Sequence, residues 1–179
     1  RHDDGTFDEE AIVRNSAELA EFLWAAAGEY GFDSENVYVA GFSNGANAAG
    51  ALLLLQPDSV RGVAAFGTTK SFIKTPFVKS PPDLTGKKVW IANGATDDYS
   101  PADRTAAMIA EFDAKKAELE VLELGEAPAV QDVVALLGAG KGVMPSFAFL
   151  TMKPPNKTKA YLRVGLCCFW GSDYKWSAR

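Results

Sequence analysis

The chain has 179 residues, 47% of them hydrophobic and 23% charged, with a formal net charge of −5. That length and balance suit one globular domain with a buried core. The acidic balance argues against nucleic acid or an anionic membrane as partner, and no apolar run approaches the ~20 residues of a membrane span.

The first ten residues, RHDDGTFDEE, are polar and acidic, unlike a secretory signal peptide. Thr6 or Asp8 is placed to cap a helix, with Asp8, Glu9 and Glu10 favouring its positive N-terminal end. Apolar residues follow at Ile12, Leu19, Phe22, Leu23 and Ala26, a helical stripe that stops at Gly31. Residues 33–36 form a turn, and VYVAGF at 37–42 reads as a strand buried on both faces. A helix small on one side and leucine-rich on the other spans 44–56, closed by Pro57 and Asp58. RGVAAFG at 61–67 is a second strand. Residues 68–86, rich in Pro, Lys and Ser, read as a long surface loop. KKVWIAN at 87–93 is a third strand, with Trp90 in the core. It ends in GATDDYSP at 94–101. Ser100 is expected to cap the next helix with Pro101 at its first position, and that helix runs to about Glu118. LEVLEL at 119–124 is a fourth strand. Strands alternating with helices predict a parallel α/β sheet.

Beyond Gly125 the pattern is less regular. A helix fits 130–137, and strands fit 146–152 and 160–170. The expected organisation is a partial α/β domain over 1–125 and an atypical tail over 126–179, either extra strands or poorly ordered chain.

The strand at 37–42 runs into G41-F-S43-N-G45, the G-x-S-x-G pattern of a nucleophile elbow. Glycine at 41 and 45 allows a strand and a helix to approach closely. The sharp turn presents Ser43 Oγ, and the N–H of Asn44 lies where an oxyanion develops at the helix N-terminus. The alternative use of Ser43 is to cap the helix. Asp97 follows the third strand and suits the acid of a triad in the order serine, acid, histidine. Asp98 competes for that role, and both are also favoured as turn residues.

These segments resemble a known family. FDEE at 7–10, YGFD at 30–33, VAGFSNGAN at 39–47, the leucines at 53–55 with Pro57, and the acid loop GATDDYSP at 94–101 are similar to the phospholipase/carboxylesterase group of α/β-hydrolases, in its serine-esterase branch. The resemblance covers about residues 5–124. It implies an α/β-hydrolase-type parallel sheet flanked by helices, truncated at the N-terminus and with an atypical C-terminal tail. It implies hydrolysis of small carboxylic esters through Ser43 and an acyl-enzyme, with no metal and no organic cofactor. The family's histidine loop would fall at GEAPAV, 125–130, where Glu126 stands in roughly the expected place. The family's first oxyanion loop would precede the present first residue. The chain's single histidine is His2, so the catalytic histidine is unassigned. The second reading is therefore a non-catalytic binding module on the same fold.

The remaining signals are weaker. GAGKG at 138–142 fails as a phosphate loop, because Ala135 stands where glycine belongs and Gly142 where Ser or Thr does. NKT at 156–158 matches a glycosylation acceptor, which matters only in a secreted protein. Lys70, Lys74 and Lys79 read as a solvated basic loop, and Phe72 and Phe77 as packing under it or as an acyl pocket. The adjacent Cys167 and Cys168 read as free thiols in a reducing, cytoplasmic compartment. No oligomeric state is assigned.

Overall fold

A computed structural model describes residues 8–68, 82–125, 146–153 and 161–168. Helix α1 spans Glu9–Tyr30. Asp8 caps it, accepting a hydrogen bond from Ala11 N at 2.9 Å, and Gly31 closes it at φ 70°, donating to Ala27 O at 2.9 Å. Only glycine adopts that left-handed conformation without a side-chain penalty. The buried stripe of α1 is Ser16, Leu19, Ala20, Leu23, Ala26 and Ala27. Phe22, expected in it, is 42% exposed, because the stripe turns past it one position on either side.

Strand β1 is Tyr38–Phe42, followed by helix α2, Asn44–Leu55, and strand β2, Gly62–Phe66. Strand β3 is Lys88–Gly94, helix α3 is Ala102–Ala114 and strand β4 is Glu118–Leu124. Strands β5, Ser146–Lys153, and β6, Tyr161–Cys168, complete a sheet of order β4-β3-β2-β1-β5-β6. Strands β1 to β4 run parallel, β5 joins β1 in parallel, and β6 returns antiparallel to β5. Both tail strands lie in the runs that their β-rich residues predict.

Alternation along the strands sends the two faces into separate clusters. Val39, Val63, Val89 and Ile91 pack against Leu19 and Leu23 of α1, Leu52 and Leu53 of α2, and Met108 and Phe112 of α3. Tyr38, Ala40, Ala64, Phe66 and Ala92 form the other cluster, with Phe42, Trp90 and Leu122 at its border. Trp90 is thus half-buried rather than central. Its ring lies 5.8 Å from that of Tyr38, and its Nε1 donates to Glu120 Oε2 at 2.9 Å. At the border the indole N–H finds this carboxylate, a partner that an apolar core would not offer.

Helix α3 stops four residues short of the expected Glu118, because β4 claims that residue as the partner of Lys88. The helix start also differs from expectation. Pro101 occupies the capping position and makes no side-chain cap bond, while Ser100 turns its hydroxyl to Asp97. The loop read at 68–86 falls mostly outside the described residues; of those described, Thr68 and Leu84 are buried. His2, Thr6, Lys70, Phe72, Phe77, Lys74, Lys79, Glu126, the expected helix at 130–137 and the segments at 138–142 and 156–158 also lie outside them.

Candidate active site

The turn between β1 and α2 is where the backbone is most constrained. Ser43 has φ 53° and ψ −116°, a conformation that non-glycine residues rarely hold, and it is exposed. Such strain persists only where the surroundings enforce it. Here they do. Ser43 N donates to Phe66 O of β2 at 2.8 Å, and Ser43 O accepts from Ala46 N at 3.0 Å and Asn47 N at 3.1 Å. The residue is pinned on one side to the neighbouring strand and on the other to the first turn of α2. Its hydroxyl makes no helix-capping bond, so the capping alternative does not describe this turn.

The spacing of the glycines follows from the packing. A Cβ at Gly41 would lie 2.1 Å from Gly45 O and 2.6 Å from Ala46 N. The strand therefore passes against the backbone of the helix that it feeds, at Gly45 itself. Asn44 opens α2, so its N–H belongs to the first turn, whose amides leave the helix end and carry its partial positive charge.

Asp97 lies at the carboxyl end of β3, half-exposed, with Asp98 beside it exposed. In strand order β2 alone separates β3 from β1. Both candidate loops thus leave the same edge of the parallel sheet, where sites of open α/β folds collect. The turn role that its residue type favours is present in Asp97. Oδ1 accepts from Tyr99 N at 2.9 Å, and Oδ2 accepts from Ser100 Oγ at 2.6 Å. Each carboxylate oxygen has a second lone pair, so these bonds aim the group without exhausting it. Asp98 has no comparable hold within the loop among the described hydrogen bonds, which favours Asp97 of the two.

Asn93 is a residue whose part the sequence did not suggest. It reads there as the last residue of a strand. In the fold it is 6% exposed, and its side chain pairs with the backbone of Thr68 in both directions: Oδ1 accepts from Thr68 N at 2.9 Å and Nδ2 donates to Thr68 O at 3.1 Å. A polar residue closing an apolar run was the available signal.

Among the described residues no three His, Cys, Asp or Glu side chains gather as a metal site, and no helix is long and apolar enough to cross a membrane.

No family model matches the chain. The curated "Putative hydrolase MhqD" of Bacillus subtilis (strain 168) is 33% identical over 101 residues, which make up 54% of this chain and 46% of that protein. The crystal structure of the Bacillus cereus carboxylesterase superposes with a TM-score of 0.68 at 27% identity, over 78% of this chain and 65% of its own. The carboxylesterase from Mesorhizobium loti does so with a TM-score of 0.65 at 25% identity, over 78% of this chain and 66% of its own. The chain has the α/β-hydrolase fold and resembles carboxylesterases, and it spans less than half of the curated relative and about two thirds of these two structures.

Proposed function

We propose that the chain is a carboxylic-ester hydrolase that works through an acyl-enzyme on Ser43. The observation that carries this is the backbone of Ser43, held at φ 53° and ψ −116° between a buried strand and a helix N-terminus, with its hydroxyl uncommitted to a cap. In this reading Ser43 Oγ attacks the acyl carbon of a small ester. The carbonyl oxygen takes up the negative charge facing Asn44 N–H, and the tetrahedral intermediate collapses with loss of the alcohol. Water then attacks the acyl-enzyme and releases the acid. Asp97 is the group that would orient a histidine base taking the Ser43 proton, a part for which no residue of this chain is assigned. Gly41 and Gly45 allow the turn to exist and take no part in the chemistry. Neither a metal nor an organic cofactor is required.

The proton of Ser43 needs a base, and an ordinary carboxylate, with a pKa near 4.3, serves poorly at neutral pH. The chain's one histidine, His2, precedes α1. That single count favours a second reading, a non-catalytic binding module with the same fold. A fluorophosphonate probe separates them, since it labels only an activated serine. Labelling of the folded chain that disappears in Ser43→Ala supports the hydrolase. No labelling of a folded chain overturns it. Turnover of a short-chain aryl ester is expected to exceed that of Ser43→Ala, in which only the oxyanion hole and binding remain, on the order of 10³- to 10⁴-fold over water.

A further inference from the structure

Buried and half-buried polar side chains left over from this chemistry, Asn47, Thr68, Asn93, Thr105 and Ser100, form one connected line beneath the two loops. It starts at the elbow, where Asn47 N donates to Ser43 O at 3.1 Å. Thr68, 2% exposed two residues past β2, donates from Oγ1 to Asn47 Oδ1 at 3.1 Å, with Met108 Sδ also near at 3.4 Å. Asn93 pairs with the Thr68 backbone through both ends of its amide. The second hydrogen of Asn93 Nδ2 goes to Thr105 Oγ1 on α3 at 2.7 Å. Thr105 Oγ1 in turn donates to Ser100 O at 3.4 Å, and Ser100 Oγ holds Asp97 Oδ2.

The orientation of the Asn93 amide is forced. Turning it over would set its NH2 against the Thr68 N–H and its carbonyl oxygen against the Thr68 carbonyl. The Asn93 amide and the Thr68 backbone are therefore directed, and both sit in a buried place where an unmade bond is costly. A line that begins on the turn bearing the serine and ends on the acid does more than fill a core. It ties the spacing of one loop to the other.

We infer that Asn93 and Thr105 are positioning residues, which hold the Asp97 loop in register with the Ser43 elbow. Their catalytic meaning rests on the esterase reading; their hold on the loop does not. Thr105→Val keeps the shape and removes the hydroxyl, whereas Thr105→Ser keeps the hydroxyl. In Thr105→Val the amides of Tyr99 and Ser100 should exchange with solvent about tenfold faster by NMR, with the core amides of β1 and β2 unchanged, and Thr105→Ser should restore protection. Aryl-ester turnover, with Ser43→Ala as blank, should show a kcat about tenfold lower with KM unaltered, again restored by Thr105→Ser. Parental exchange at Tyr99 and Ser100 in Thr105→Val overturns the inference. If the parent shows no turnover above the blank, the esterase reading falls, and the exchange measurement alone decides the tie. Should Thr105→Val fail to fold, Thr105→Ala against Thr105→Ser gives the same contrast.

Discussion

A Cβ on Gly41 would stand 2.1 Å from the carbonyl oxygen of Gly45. The contact is with backbone on both sides, so no side-chain rotation relieves it. Strand β1 and helix α2 meet at this point before either has a side chain to spare. Gly41→Ala must push the helix off the strand. It is expected to destabilise the fold by roughly 3 kcal/mol, the upper range of overpacking, and to misplace Ser43 as well. Urea denaturation measures the first effect. A loss under about 0.5 kcal/mol, within the range of neutral surface changes, contradicts this packing.

The strain at Ser43 predicts an opposition between stability and chemistry. Ser43→Gly should relieve ~1–3 kcal/mol of backbone strain and give back part of it in unfolded-chain entropy, for a net gain of about 1 kcal/mol. Ser43→Ala keeps the strain and removes no capping bond, so it should stay within about 0.5 kcal/mol of the parent. Both variants should lose fluorophosphonate labelling. Equal stability of the two would show that the backbone there is not strained.

An ion pair far from the site gives a pH test. Lys116 Nζ lies 2.8 Å from Asp83 Oδ2, both side chains being well exposed. The Lys116 ammonium, helped by the Thr85 hydroxyl and N–H, holds the Asp83 carboxyl well below the usual carboxylate range, and Asp83 raises Lys116. A lowered folded-state pKa contributes stability that is present above the unfolded pKa near 3.9 and is lost as the pH falls through the folded value. Asp83→Asn should therefore lower Tm slightly at pH 7 and less in high salt, with the difference from the parent closing on acidification below about pH 4. A difference that widens on acidification contradicts the assignment.

Much of the fold is legible in the residues themselves. Asp8 and Gly31 bracket α1 because capping oxygen and left-handed glycine act within a few residues of the helix ends. The apolar runs at β1, β2 and β3 are found where they are expected, since burial on both faces requires continuous apolar character. The G-x-S-x-G spacing marks a close passage of strand and helix, which Gly41 displays.

What the chain did not disclose depends on partners distant in sequence. Ser100 has the residue type of a cap, yet its hydroxyl goes to Asp97. Trp90 has the residue type of a core, yet its indole N–H finds Glu120 at the border. Asn93 becomes a link only because Thr68 lies just past the end of the adjacent strand and Thr105 reaches it from α3. Strand β5 joins β1 across more than a hundred residues of chain. Propensity and capping act locally, and a sequence states them by itself. Which buried polar group meets which, and which strand lies beside the serine, are decided by packing, because those bonds form only once the sheet has brought the segments together.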